Sequence, residues 1–91
     1  MMTRQEFINY LEINEIPYSE YTENGADMVY VFSKVEYNKK KAHPRKYKNL
    51  YVPYLRVSHF DEYRWYTRDN GLCGYMSIKK VMDIVKELGA A

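Results

Sequence analysis

The Asn24-Gly25 pair limits the possible folds of this chain more narrowly than any other feature of the sequence. Asparagine and glycine accept the positive φ angles that both central positions of a two-residue hairpin turn require. The segments on either side, 17–23 and 26–37, are alternating in polarity or rich in β-branched and aromatic residues. The sequence therefore predicts an antiparallel hairpin. Its second arm is apolar on both sides through the middle, which is typical of a central strand.

An amphipathic helix is predicted at each end of the chain. Residues 3–15 begin with Thr3 and Glu6 at the spacing of a capping box, and a proline two positions further on ends the helix. The last helix is expected to start after Ser77, a good N-cap, and to end at Gly89. Both segments carry apolar residues at helical spacing, so each needs a surface to pack against.

Two further strands are predicted between the hairpin and the last helix. The segments 50–60 and 63–68 have strand character, and we interpret Asp61 and Glu62 between them as a two-residue turn. Residues 1–91 are thus expected to form one α+β domain. Its antiparallel sheet would have three to four strands, with the N-terminal and C-terminal helices packed on one face.

The assumed turn decides which side chains of these two strands share a face of the sheet. It places Leu55, Val57 and Tyr66 against the helices. The opposite, exposed face would carry Tyr54, Arg56, Phe60, Tyr63 and Trp65. Aromatic and arginine side chains on a sheet face are typical of surfaces that stack single-stranded bases and of protein interfaces. The residues of this segment predicted to contact a partner are Tyr54, Arg56, Tyr63, Arg64, Trp65 and Arg68.

Two alternatives exist for this segment. A shift of the strand register by one residue would exchange the two faces. Alternatively, Trp65 and most of the 11 tyrosines fill the core, because the chain has only three phenylalanines with which to do so.

Charge is unevenly distributed along the chain. Residues 1–36 contain two basic and seven acidic residues, a net charge of −5, whereas residues 37–48 contain six basic residues and no acid, a net charge of +6. Residues 49–91 add +1, which gives the total of +2. The basic part lies in "NKKKAHPRKYKN" (38–49), where proline and dense like charge predict a loop.

This basic loop is a candidate contact with a polyanion. Mobile lysines and arginines attract phosphate backbones through counterion release. The alternative interpretation is a solvated loop that balances the acidic first third of the chain. The cations predicted to contact a partner are Lys39, Lys40, Lys41, Arg45, Lys46 and Lys48.

The sequence has no catalytic, cofactor or metal motif. Cys73 and the two histidines, His43 and His59, are not at the spacing of a nucleophilic or zinc site, and no glycine-rich phosphate loop is present. His59 with the neighbouring acids of the predicted turn could hold a cation, but such turns are usually solvated. We therefore expect no enzyme activity, no cofactor and no metal.

The expected location is the cytoplasm. A single cysteine allows no internal disulfide, which agrees with a reducing compartment. The first 15 residues are polar and amphipathic and lack the apolar region of a signal peptide. No apolar run approaches the roughly 20 residues that span a bilayer, so no membrane partner is expected.

The predicted order of helix, three strands and helix resembles the double-stranded-RNA-binding domain over most of the chain. The segment "AHPRK" (42–46) is loosely similar to that family's phosphate-contacting loop, and Lys79 and Lys80 stand near the place of its lysine cluster. The resemblance implies phosphate contacts at these positions. In its small size and its content of tyrosine, asparagine and lysine, the chain also resembles accessory proteins of phages and mobile elements, among them anti-CRISPR proteins.

We therefore expect the protein to bind a partner and not to catalyse a reaction. The first hypothesis is a protein-interaction module that inhibits a nucleic-acid-handling complex in the manner of an anti-CRISPR protein. The second is direct binding of DNA or RNA, with the basic loop on phosphates and Tyr54, Tyr63 or Trp65 stacked on bases. A third is a small enzyme that uses His59 or Cys73. The protein is expected to be a monomer or a homodimer.

Overall fold

In the part of the chain that the structure describes, three helices and five strands follow one another. In order they are α1 (Arg4–Ile13), β1 (Tyr18–Glu23), β2 (Ala26–Val31), α2 (Lys34–Ala42), β3 (Leu55–Ser58), β4 (Arg64–Thr67), β5 (Gly71–Tyr75) and α3 (Ile78–Leu88). This computed structural model describes residues 2–23, 25–42, 45, 53–58, 60, 64–68, 71–75 and 78–90.

The five strands form one sheet in the order β1-β2-β3-β4-β5, and every neighbouring pair is antiparallel. The predicted α+β class, antiparallel sheet and terminal helices are confirmed. The sheet has one strand more than the three to four predicted, because Gly71–Tyr75 pairs with β4. Two glycines in five residues gave this strand a weak sequence signal.

Helix α1 starts as its sequence predicts. The Thr3 hydroxyl oxygen accepts a hydrogen bond from the Glu6 amide at 3.2 Å, and the Glu6 carboxylate accepts one from the Thr3 amide at 3.2 Å. These two bonds complete the capping box and satisfy two amides that the helix itself cannot. Phe7, Ile8 and Leu11 form the buried stripe of the helix.

The predicted hairpin is also confirmed. The pairing runs from Tyr18 opposite Val31 to Glu23 opposite Ala26, which is the register that a turn at positions 24 and 25 predicts. Asn24 itself lies outside the described residues. Gly25 has a φ of +80°, and a Cβ at this position would meet no atom within 4 Å. Backbone conformation, and not crowding, is therefore the reason for glycine here. Strand β2 lies between β1 and β3, as its apolar character predicts.

Helix α2 corrects two predictions, since residues 34–37 were expected to continue the second arm of the hairpin and residues from 38 onward to form a loop. The Ser33 hydroxyl oxygen accepts a hydrogen bond from the Glu36 amide at 3.4 Å, and the Tyr37 amide donates to the Ser33 carbonyl at 2.9 Å. Ser33 and Glu36 have the spacing of a capping box, a signal that the apolar alternation of the preceding strand concealed. The lysines of the last turn face the negative end of the helix dipole, which favours them.

The hydrophobic core lies between one face of the sheet and the two terminal helices. Val81, Val85 and Leu88 of α3 join the buried residues of α1 in a single cluster with the sheet. Packing of both terminal helices on one face is thus confirmed. The register places six residues of three strands on this face, which we call the inner face: Val29, Val31, Leu55, Val57, Trp65 and Thr67. All six are buried.

None of the helices in the described part of the chain has the length and apolar character needed to cross a bilayer.

Candidate interaction surface

The register of β3 and β4 differs by one residue from the predicted register. Val57 lies opposite Trp65, and Arg56 lies opposite Tyr66. Ser58 lies opposite Arg64 and not opposite Trp65, so the register inferred from a two-residue turn was wrong. Asp61 and Glu62 themselves lie outside the described residues. The alternative register was the correct one, and the side chains of β4 exchange faces as it requires.

Trp65 belongs to the core and not to the exposed face predicted for it. Its side chain is only 3% exposed and lies in the hydrophobic cluster with Val57 and Leu55. The indole Nε1 is buried and has no hydrogen-bond partner among the residues that the structure describes. Phe60 also turns inward, since its ring centre lies 5.5 Å from that of Phe7 on α1. Trp65 is therefore not available to a partner, and Phe60 is half-buried against the core.

The opposite side of the sheet, which we call the outer face, has a row of three residues at its centre. Tyr30 on β2 lies opposite Arg56 on β3, which lies opposite Tyr66 on β4. The guanidinium carbon of Arg56 is 4.9 Å from the centre of the Tyr66 ring, within the distance of a cation–π contact. All three side chains are half-buried. This tyrosine–arginine row crosses three adjacent strands of the outer face.

Tyr21 extends the aromatic surface beyond the row. Its ring stacks on that of Tyr30 with centres 4.8 Å apart and planes at 27°, and 56% of its surface is exposed. Tyr21, Tyr30 and Tyr66 were not among the predicted contact residues. The hairpin register, which sets Tyr21 diagonally across from Tyr30, was the signal that could have identified two of them.

The outer face is not open along its whole length. Met28 and Ser58, which share it with the row, are 5% and 2% exposed. Arg64, a predicted contact residue, lies opposite Ser58 and is half-buried. The accessible part is therefore the centre of the face, around Arg56, and the end of the sheet beyond it.

Arg68 occupies that end of the sheet and connects it to α2. Its guanidinium lies over the Tyr54 ring, 5.2 Å from the ring centre. The same guanidinium donates two hydrogen bonds to the Glu36 carboxylate, at 2.8 and 3.3 Å. Tyr54, a predicted contact residue, is half-buried and packs against the core cluster. Arg68 is thus held from two sides.

The two faces of the sheet differ in charge. Glu6, Glu12 and Glu15 are exposed on α1 and the turn that follows it, and α1 covers the inner face. The register places Glu20 and Asp27 on the side of the sheet opposite the tyrosine–arginine row. The centre of the outer face carries Arg56 without an acidic neighbour in its strand pairs. The acidic first third is therefore largely turned away from this surface.

The basic residues after β2 are divided between helix and turn. Lys39, Lys40 and Lys41 lie on α2, where Lys39 and Lys41 are exposed and Lys40 is half-buried. Arg45 is exposed in a turn. The remaining predicted contacts, Lys46, Lys48 and Tyr63, lie outside the described residues.

The candidate chemical groups give no assembled catalytic centre in the described part of the chain. His43 and His59 lie outside it, and Cys73 is placed on β5 as the extra residue of a bulge opposite Trp65 and Tyr66. Within the described residues, no three His, Cys, Asp or Glu side chains are grouped to hold a metal ion. A cleft of about 470 Å³ lies between residues 15–18 and one side of α2, away from the tyrosine–arginine row.

The architecture departs from the resemblance drawn from the sequence. The double-stranded-RNA-binding order is helix, three strands and helix, whereas the described part of this chain has five strands and an additional helix α2 after its second strand. Lys79 and Lys80 are exposed on the first turn of α3. Comparison of the chain with models of protein families, with curated proteins and with solved structures finds no match.

Proposed function

We propose that this protein is a non-enzymatic interaction module that binds a partner protein, alone or within a protein–nucleic-acid complex, through the outer face of its sheet. The observation that carries the proposal is the tyrosine–arginine row, in which an arginine lies between two tyrosines across three adjacent strands. Tyrosine and arginine are among the residues that contribute most to protein–protein affinity.

The contacts within the outer face favour binding because they restrict its side chains before a partner arrives. Arg56 is held over Tyr66, Arg68 over Tyr54, and Tyr21 against Tyr30. Side chains that are already ordered lose less conformational entropy when a complex forms. The rings also combine a large apolar area with a hydroxyl, which suits a surface that is wet when free and buried when bound.

The charge of this surface favours an acidic partner. Arg56 at the centre of the face and the lysines of α2 at its end are cations, whereas the acids of α1 lie behind the sheet. Complementary charge speeds association and selects against other cationic surfaces. Inhibition of a nucleic-acid-handling complex, as by the phage proteins that this chain resembles in composition, is consistent with such a partner.

Direct binding of DNA or RNA is the second candidate function. It is favoured by the position of Glu6, Glu12 and Glu15 on the far side of the sheet, where they do not repel phosphates from the outer face. This candidate predicts that affinity for an oligonucleotide falls steeply between 50 and 200 mM salt, by on the order of 10³-fold for six phosphate contacts. Absence of binding to oligothymidylate at 50 mM salt would eliminate it.

The proposal is tested by comparing variants of the outer face with a matched variant elsewhere. Proteins retained by the tagged wild-type chain are compared with those retained by Arg56→Ala, Tyr66→Ala and Lys86→Ala. Lys86 is exposed on α3, on the other side of the sheet, and its replacement removes one positive charge as Arg56→Ala does.

The expected result is a partner that binds wild type and Lys86→Ala and is lost from both variants of the outer face. Its affinity for purified protein should fall on the order of tenfold or more for each, as for residues at the centre of an interface. Circular dichroism checks that all three variants are folded. A partner that binds the outer-face variants as tightly as wild type would show that the contact lies elsewhere.

A further inference from the structure

Arg68 already binds a carboxylate within the chain. The Glu36 side chain accepts two hydrogen bonds from its guanidinium, one from each terminal nitrogen, at 2.8 and 3.3 Å. This paired arrangement matches the fork of arginine to the two oxygens of a carboxylate. The contact is accessible to solvent, since 29% of the Arg68 and 33% of the Glu36 side chain are exposed.

Helix α2 lies outside the hydrophobic core. No residue of α2 is buried, whereas the other two helices each contribute residues to the core. Among its described contacts are the Phe32 and Tyr37 rings, whose centres are 6.3 Å apart. Water reaches both charges of the Arg68–Glu36 pair, which weakens their attraction. Separating Glu36 from Arg68 therefore leaves the packing of the core unchanged.

Arg68 is close to the tyrosine–arginine row. It lies two positions after Tyr66 on the same chain segment, and the Arg68 amide donates to the Tyr54 carbonyl at 2.8 Å, which continues the β3–β4 ladder. Residues two positions apart on a strand project to the same side of the sheet. A partner seated on Tyr66 would thus reach the Arg68–Glu36 pair.

We infer that Arg68 is a carboxylate-binding residue of the outer face, and that Glu36 occupies it until an acidic side chain of the partner protein takes its place. The inference rests on the proposed function and specifies the chemistry of the partner as an acidic protein surface. Exchange of one carboxylate for another preserves the two hydrogen bonds and the contact of Arg68 with Tyr54. It also frees α2, with Lys39, Lys40 and Lys41 on its last turn, to approach the same acidic surface.

A carboxylate is the ligand that Arg68 holds in the structure, with one hydrogen bond from each terminal nitrogen of its guanidinium. The guanidinium carbon also lies 5.2 Å from the centre of the Tyr54 ring, and a carboxylate of the partner would keep both contacts. A nucleic-acid phosphate is the competing ligand, and the test includes it as a separate arm.

The experiment compares Glu36→Gln with Glu87→Gln in the full chain. Both changes remove one negative charge and keep the size of the side chain, and Glu87 is exposed on α3, on the other side of the sheet. Fluorescence anisotropy at 50 mM salt measures binding of two labelled probes, a decaglutamate peptide and a ten-nucleotide oligothymidylate. Circular dichroism verifies that each variant retains its helices.

The expected result is that Glu36→Gln binds decaglutamate about fivefold more tightly than Glu87→Gln does. The double variant Glu36→Gln/Arg68→Lys should lose this gain, because lysine keeps the charge but cannot offer the paired geometry. In wild-type protein, decaglutamate should shift the Arg68 Nε–H resonance in an NMR titration.

Three outcomes would overturn the inference: equal affinity of Glu36→Gln and Glu87→Gln for decaglutamate, no binding of decaglutamate to any variant, or a gain for oligothymidylate alone. Arg56→Ala distinguishes this failure from failure of the proposed function. If Arg56→Ala weakens decaglutamate binding but Glu36→Gln does not strengthen it, the outer face remains the contact surface and the role of Arg68 is disproved. If Arg56→Ala and Tyr66→Ala change nothing, the proposed function itself fails.

Discussion

Arg56 and Tyr66 face each other across strands β3 and β4, with the guanidinium carbon of Arg56 4.9 Å from the centre of the Tyr66 ring. The pair exists because β4 presents its tyrosine outward and its tryptophan inward. It places a cation in a fixed position at the centre of the outer face, between Tyr66 and the Tyr30 that lies opposite Arg56 on its other side.

The Arg56–Tyr66 contact should be measurable as a coupling free energy. We expect a double-mutant cycle of Arg56→Met and Tyr66→Leu to give a coupling free energy of about 0.5–1 kcal/mol, the range of a partly exposed cation–π contact. The coupling is obtained from the free energies of unfolding of wild type, the two single variants and the double variant. Urea denaturation provides the measurement. The same cycle between Arg56 and Tyr21, which are not opposite each other, should give less than about 0.5 kcal/mol. Equal coupling in the two cycles would contradict a specific contact.

Replacement of Trp65 should reduce stability and not merely remove a binding contact. Trp65→Ala is expected to lower the free energy of unfolding by about 3–5 kcal/mol, because it leaves a cavity in the core. Trp65→Phe should cost less, since it keeps a ring and removes a buried N–H that has no partner among the described residues. Denaturant unfolding measures both changes.

The fluorescence of Trp65 gives an independent check of its burial. It is the only tryptophan of the chain, so emission reports on this one site. The native protein should emit at shorter wavelength than the unfolded protein and be quenched weakly by acrylamide. Emission equal to that of the unfolded chain would mean that the ring is in water.

Gly89 packs closely against Ile16 after α3. A Cβ at this position would lie 3.0 Å from both Cγ1 and Cδ1 of Ile16, a buried residue of the turn after α1. We expect Gly89→Ala to cost about 1–3 kcal/mol of unfolding free energy, as overpacking does. In an Ile16→Ala background the same change should be close to neutral. An equal cost in both backgrounds would show that backbone conformation, and not this contact, selects glycine.

The Tyr18–Glu12 hydrogen bond should make stability depend on pH in the alkaline range. The Tyr18 hydroxyl donates to the Glu12 carboxylate at 2.5 Å. This bond, followed by desolvation and by the charges of Glu12 and Glu20, raises the pKa of Tyr18 from 10.0 to about 12. The native state therefore keeps the phenolic proton at pH values where the unfolded state has lost it.

It follows that the stabilisation from Tyr18 is complete below pH 10 and is lost as the pH rises from 10 to about 12. Over this interval the free energy of unfolding should fall more steeply for wild type than for Tyr18→Phe, which has no phenolic proton. Urea denaturation at a series of pH values measures both slopes. Equal slopes of the unfolding free energy against pH in the two proteins would contradict the hydrogen bond. Glu12→Gln, which removes the accepting carboxylate, should also make this slope less steep than in wild type.

The sequence predicted the type of side chain on the outer face, tyrosine and arginine, more accurately than it predicted which residues lie there. Arg56 and Tyr54 lie on the side of the sheet predicted for them and are half-buried, and Lys39 and Lys41 are exposed, although on a helix and not a loop. Trp65 was misplaced because a shift of one residue reverses every side chain of a strand. When the residues of a surface are predicted from the alternation of side chains along a strand, the prediction therefore depends on placing the preceding turn correctly.

The sequence by itself determined the elements whose signals are local. The capping box of α1, the Asn24-Gly25 turn and the apolar stripe of α3 each depend on residues within a few positions of one another, so no distant contact is needed to predict them. The spacing of Ser33 and Glu36 carried the same kind of signal for α2.

Only the tertiary structure decided the pairing of β3 with β4, the existence of β5 and the position of Arg68 beside Glu36. The sequence permits two registers for β4, and they differ in whether Trp65 or Tyr66 enters the core with Val57. The observed choice buries the large indole among the residues of α1 and α3 and leaves the tyrosine on the outer face. That preference depends on the total apolar surface removed from water by segments far apart in the chain, which no local pattern records.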